Sequence, residues 1–388
     1  MLALVSGCSW FSGDDEDEEV RVPEELLDFS PEVTLARLWE KNIGKGADDK
    51  AIRLVPALVG SRIFAASADG TVQAMNAANG RVIWKVKIQS FYSNSERKIA
   101  FSDDAITGGV GAGQDLVLVG SAAGEIVAMN QSDGSLAWRA KTSSEVLAPP
   151  QVSGQLVVAQ TIDGKVAGFN ALDGERSWLY STSIPSLTLR GTSTPIVAEV
   201  VIAAFANGRV SVLDRENGMP VMDSRVAAAT GKSDLERLVD VDGAMVTDGN
   251  TLYAASYQGN LVAFELASRG RPRWSVEASS VAGLGAGFGN IYLAGEDSVV
   301  SAFEASSGKR NWEKTTLRYR DITTPVTISS YIAMGDFDGY LHLLAQSDGR
   351  VVARRRLDSS DLDSAAVVDG TRLYVLGNSG RLIALELQ

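Results

Sequence analysis

The stretches DGTVQAMNAANGRVIW (residues 69–84) and DGKVAGFNALDGERSW (residues 163–178) are two copies of one unit, and that unit recurs eight times along the chain. Its leading glycine position falls at Gly70, Gly124, Gly164, Gly208, Gly259, Ser298, Gly339 and Gly380, a mean period of about 44 residues, the size of a propeller blade. Ten residues on stands a second glycine, at Gly80, Gly134, Gly174, Gly218, Gly308 and Gly349, slipped by one to Gly270 in the fifth unit. Most of these follow Asn or Asp, and such pairs supply the positive φ that a tight two-residue hairpin requires. Four residues further comes Trp84, Trp138, Trp178, Trp274 or Trp312; Met222 and Ala353 take the place in the fourth and seventh units, where weaker packing is expected.

Between the two glycines apolar residues alternate, as in Val72 and Ala74 or Leu341 and Leu343, which is the period of a strand. The next position carries Met75, Met129, Phe169, Leu213, Phe264, Phe303, Leu344 or Leu385, large side chains suited to the layer between blades. Upstream of each first glycine lies another β-rich run, such as Leu156-Val157-Val158 or Leu373-Tyr374-Val375, with a short strand before it. Each unit thus supplies four strands, and the eight together predict an all-β, eight-bladed β-propeller of four-stranded antiparallel blades over residues 33–388. The eighth unit stops at Gln388, before its outer strand and tryptophan. Leu35-Ala36-Arg37-Leu38-Trp39-Glu40-Lys41 is the missing piece, expected to pair with residues 381–387 and close the ring. Six of the seven tryptophans, all but Trp10, then read as structural core.

At 388 residues, with 45% hydrophobic and 22% charged content, the composition is that of a globular protein. A net charge of -12 with no Lys/Arg cluster speaks against nucleic-acid binding. Asp14 to Glu19 form an acidic run with nothing apolar to bury, which reads as a solvated tether over residues 8–32. Cys8 is the only cysteine, so no intrachain disulfide, thiolate cluster or CxxC motif can be built. No run reaches the roughly 18 apolar residues of a transmembrane helix.

The segment Leu4-Val5-Ser6-Gly7-Cys8 resembles the lipobox of bacterial lipoprotein precursors, with residues 1–7 as the end of a signal segment whose true start is expected upstream. That likeness implies lipidation at Cys8, and Ser9 in the following position resembles lipoproteins sent to the outer membrane. The residue after each Trp is Lys85, Arg139, Leu179, Ser275, Glu313 or Glu40, so the Trp-Asp signature of WD40 repeats is absent. The repeat is instead similar to that of pyrroloquinoline-quinone dehydrogenases and their non-enzymatic relatives. Within that superfamily the lipobox, tether, eight blades and length resemble the BamB family of outer-membrane β-barrel assembly lipoproteins. The resemblance implies a non-enzymatic scaffold, monomeric by itself and held at the periplasmic face of the outer membrane by its lipid. It also implies binding to BamA within the BAM complex and assistance to unfolded outer-membrane clients.

Two segments resemble the family's motifs for contacting the polypeptide-transport-associated domains of BamA. In Ser186-Leu187-Thr188-Leu189-Arg190-Gly191, the residues Leu187, Leu189 and Arg190 match a Leu-x-Leu-Arg element; in 236–242, Asp240 and Asp242 match an Asp-x-Asp element. Alternating leucines outside the blade pattern suit a small apolar anchor, and Arg190 with two carboxylates suits charged steering. The same residues also fit an inner strand and ordinary turns. Long insertions at 89–113 and 223–246 add rim loops, where recognition usually sits.

The alternative from another class is a quinone-dependent dehydrogenase, and a third is a sugar- or cell-wall-binding propeller. Such a dehydrogenase needs a central pocket with calcium, a carboxylate base and, commonly, an adjacent cysteine pair, for which Cys8 alone is insufficient. No catalytic residue, metal ligand or cofactor is expected. His342 reads as a strand residue in polar surroundings without the partners of a triad or zinc site. Asp336-Phe337-Asp338-Gly339 reads as the turn between second and third strands, and Gly283–Gly289 as a blade connection, since no helix follows it.

Overall fold

The computed structural model describes residues 21–47, 50–93, 96, 106–268 and 270–388. Cys8 and Trp10 lie outside the described residues. Eight four-stranded sheets stand around one axis, each antiparallel throughout. Blades 1 to 7 take their strands in chain order, from a short innermost strand to a solvent-facing outermost one. Blade 8 is completed by the N-terminal strand Leu35–Asn42 lying antiparallel on Arg381–Leu387, as the repeat arithmetic requires. Two further main-chain bonds between Thr34 and Gln388 lengthen this pairing, and Arg381 holds Glu40 beside it.

In blades 1 to 7 the outermost strand starts at the glycine hairpin and ends at the connector to the next blade, which gives the ring a hairpin face and a connector face. On the hairpin side the blades are joined by one repeated device. The Trp39 indole donates to the Ala77 carbonyl of blade 1 at 2.9 Å. Its ring lies so close over Gly80 that a Cβ there would come within 2.7 Å of it. The same bond joins Trp84 to Gln131, Trp138 to Ala171, Trp178 to Arg215, Trp274 to Ala305 and Trp312 to Gln346, all between 2.8 and 3.1 Å. In each blade a bulge beside the pairing turns this residue toward the seam.

The two exceptions are compensated in volume across the strand pair. Opposite each Trp stands a small residue: Ala74, Ala128, Gly168, Ala263, Ala302 or Ala384. Opposite Met222 stands Val212, and opposite Ala353 stands Leu343. Weakness was expected in both units, yet blade 7 has no need of an indole. Blade 8 receives its outer strand from the other terminus and so offers no third-to-fourth hairpin for one to dock on. The seventh seam is filled instead by Leu35 and Val33, which join the apolar cluster of Leu343 and Ala353, while residues 24–32, expected as tether, are laid as a strap along the outer strand of blade 7. Glu24 bonds Arg318 and Arg320 at the connector face. Leu26 packs on the cluster holding Leu317 and Ile322. The Leu27 carbonyl accepts from Arg354, whose guanidinium lies 5.4 Å from the Phe29 ring centre. Glu32 takes a two-pronged bond from Arg350 at 2.8 Å, and its amide donates to Val352 near the hairpin face. The propeller body therefore takes in the last part of the expected tether.

Two glycine-rich stretches also differ from expectation. Gly108–Gly113, placed in an insertion, and Gly283–Gly287, placed in a connection, are innermost strands of blades 2 and 6. Near the axis the innermost strands approach so closely that a Cβ on Gly111 would sit 1.6 Å from the Pro150 carbonyl oxygen. Glycine there is a consequence of crowding and marks neither a loop nor a phosphate cradle.

Candidate partner-docking site

Leu187, Leu189 and Arg190 lie in the connector from blade 3 to blade 4 (residues 182–195), and Asp240 and Asp242 in the next one (residues 226–245). Both connectors belong to the same face, and the structure ties them together. Asp240 Oδ1 accepts the Leu189 amide at 2.8 Å, and Ser193 donates to the Gly243 carbonyl at 3.0 Å. Gly191 lies directly against the Asp242 carboxylate, leaving no room for a side chain. Arg190 reaches the other way and grips Glu145, in the connector from blade 2 to blade 3, through two bonds of 3.0 and 2.9 Å. Three successive connectors are thus latched into one surface.

Within that surface the five residues divide into two kinds. Leu187 is 40% exposed and the Arg190 side chain 52% exposed. Asp240 and Asp242 are buried, and Leu189 is partly so. The two aspartates, expected as charged contacts on the surface, form the frame beneath it. Burial pushes Asp240 up to about 6. Burial, with repulsion from Asp240, pushes Asp242 up to about 7, against a smaller opposing pull from Arg53. Oδ2 of each has no hydrogen-bond partner among the described residues. Both carboxyls thus hold their protons to higher pH than an ordinary aspartate does, as desolvation requires.

Sequence reasoning missed two members of this face. Glu145 carries no local motif, and only its distance from Arg190 reveals it. Leu235, 66% exposed, tops a small turn in which Glu236 accepts from the amides of Lys232 and Ser233 while its own amide donates to the Ser233 hydroxyl oxygen. This reciprocal capping was legible as Ser233-x-x-Glu236. On the same face, in the connector from blade 1 to blade 2, Tyr92 bonds Glu125 at 2.6 Å, and Arg139 stacks on its ring and holds Glu96.

His342 is wholly buried, with Nε2 2.9 Å from Asp336 Oδ2, to which Arg320 also donates at 2.8 Å. Burial pushes the imidazole down, toward its neutral form. Burial acts on Asp336 in the opposite sense, but the bonds from His342, Tyr340 and Arg320 outweigh it and hold the carboxyl below its usual range. Oδ1 of Asp336 accepts the amides of Asp338 and Tyr340, so this carboxylate builds the expected turn.

Rigid blades, six indole seams and a connector face whose loops are bonded to one another define a class: a repeat-built β-propeller organised to present a fixed surface. The family profile described as outer membrane protein assembly factor BamB matches residues 68–314 and 288–388. An outer membrane protein assembly factor BamB of Pseudomonas aeruginosa is 38% identical, with 100% of this chain and 97% of that one covered. The chain belongs to the BamB family. Its backbone superposes on the crystal structure of BamB from Moraxella catarrhalis with a TM-score of 0.81 at 29% identity, over 91% of this chain and 100% of that one. A quinohemoprotein alcohol dehydrogenase from Comamonas testosteroni shares the propeller at 13% identity (TM-score 0.71, 91% of this chain, 76% of that one), a likeness of fold alone.

Proposed function

We propose that this chain is a non-enzymatic scaffold of the outer-membrane β-barrel assembly machine, docking on BamA by its connector face and assisting the insertion of unfolded barrel clients. Family membership supports the setting, since the relatives are named as outer membrane protein assembly factors. One observation carries the docking assignment: Leu187 and Arg190 stand outward on a loop fixed from below by the Asp240 bond to Leu189. An exposed leucine beside a guanidinium that is already oriented by Glu145 costs little side-chain entropy on binding. Leu189, Asp240 and Asp242 serve the same contact by holding the loop in shape. Lipidation of Cys8 would tether the body to the periplasmic face of the outer membrane with effectively permanent hold.

The test is a pull-down from membranes comparing wild type with Leu187→Ala/Arg190→Ala. Loss of BamA from the variant, with an unchanged melting curve, is the expected result. Retention of BamA at unchanged strength would sink the assignment.

A further inference from the structure

Six of the eight seams carry an indole, and at the seventh Leu35 and Val33 pack with Ala353. The seam between blades 4 and 5 has neither, and is crossed by a bond from the Ser224 hydroxyl to the Gly270 carbonyl. Met222 lies on Gly270 where an indole stacks elsewhere, but it is shorter than Trp and carries no N–H donor. The position equivalent to Ala77, Gln131, Ala171, Arg215, Ala305 and Gln346 is Leu266, and no indole among the described residues bonds its carbonyl. Beside Met222 a crevice of about 490 Å3 opens to the outside, lined by Val200, Val212, Val221, Met222 and Leu266; a smaller one of about 290 Å3 lies at the equivalent place beside Trp178, but there the indole covers Gly168, the counterpart of Val212. Its rim is apolar as well: Met219 is 64% exposed and Val221 53% exposed. Outside it runs Pro220–Arg225, the outermost strand of blade 4, with no strand on its far edge.

We propose that this crevice is a binding slot for an aromatic side chain, preferentially tryptophan, carried by an extended polypeptide that lies along the outer edge of blade 4. The molecule itself shows both halves of the arrangement. Six times it seats an indole over the residue equivalent to Val212 and against the hairpin glycine of the next blade, a place that here holds only the slimmer Met222. At the other seam without a tryptophan, an extended segment rides on the outermost strand and makes a main-chain bond to it, Glu32 amide to Val352 carbonyl. An incoming strand can bond the free edge of Pro220–Arg225 in the same way, while its aromatic residue covers Val212 and Leu266. The slot lies toward the hairpin face and shares no residue with the docking surface proposed for BamA, so one segment can be held there while that surface is occupied.

A short Thr/Val peptide with 5-fluorotryptophan at its centre, followed by fluorine NMR, tests the slot without interference from the protein's own tryptophans. Wild type is expected to shift or broaden the signal saturably, and an otherwise identical peptide with alanine at the centre should fail to compete. Val212→Ala/Met222→Trp rebuilds the pair found in five of the six indole seams, fills the slot from within, and should weaken binding at least ~tenfold. Val221→Arg changes an already exposed rim residue and should weaken it too, which keeps the test decisive should the double variant not fold. Absence of a saturable shift with wild type overturns the proposal. Unchanged binding by the folded variants does the same. Leu187→Ala/Arg190→Ala should bind the peptide as wild type does, so failure of the slot and failure of the BamA assignment are read separately.

Discussion

Replacing Trp39 by alanine measures how much the ring depends on its closing strand. The indole is buried over Gly80 and opposite Ala384, two residues with no side chain able to move into the vacated space, so the cavity persists. Truncations of this kind cost about 3–5 kcal/mol. The Ala77 carbonyl keeps a second donor, the Tyr374 hydroxyl at 3.2 Å, so the penalty for an orphaned buried acceptor is not added. Against a typical net stability of about 5–15 kcal/mol, the expected loss is a large share of the total. Trp39→Phe, which deletes the indole bond but retains most of the ring, should cost only about 1 kcal/mol. Urea unfolding followed by far-ultraviolet circular dichroism gives both values, with Trp84→Ala as the internal comparison at a seam not made by a terminus. A Trp39→Ala protein within about 1 kcal/mol of wild type would refute the claim that this indole seals the ring.

Asp240 and Asp242 make the connector latch sensitive to pH in an unusual sense. Their folded pKa values lie above the ordinary carboxylate value, so between about pH 4 and pH 7 the folded state holds more protons than the unfolded one, and the pair's contribution to stability falls as pH rises. Asp242→Asn should therefore melt above wild type at about pH 8 and lose that advantage near pH 4; a difference that does not vary with pH would contradict the burial argument. The strap makes a separate prediction for hydrogen exchange. The amides of Glu24 and Glu32, bonded to Arg318 and Val352, should exchange slowly, and Arg350→Ala should speed exchange at Glu32 while leaving the blade 7 strands protected.

Much of this architecture was written in the sequence because each blade repeats one set of local requirements. The hairpin glycines, the alternating third strand and the tryptophan are separately interpretable, and their common spacing fixes blade size and number. The displaced strand around Trp39 followed from the same count. What escaped was compensation between residues adjacent only in space. Nothing near Ala353 in the chain says that Leu343 faces it or that Leu35 and Val33 fill its seam. Gly108–Gly113 and Gly283–Gly287 read as loops because glycine usually signals a bend, whereas here crowding between innermost strands demands it. At the connector face, Leu187 and Arg190 were legible as features outside the blade pattern. The burial of Asp240 and Asp242 was not, since a charged residue in a connector is expected to face water until a neighbouring connector is known to cover it. Glu145 stayed hidden for the same reason.

The strap has a mechanical consequence. A chain held upstream and tugged would transmit tension first to Glu24 at the connector face, then down blade 7 to Glu32, before any reached Leu35 and the strand that shuts the ring. The ion pair of Glu32 with Arg350 and the main-chain bond to Val352 form a strain relief, as on an electrical cable, so that such a pull would be absorbed outside the joint.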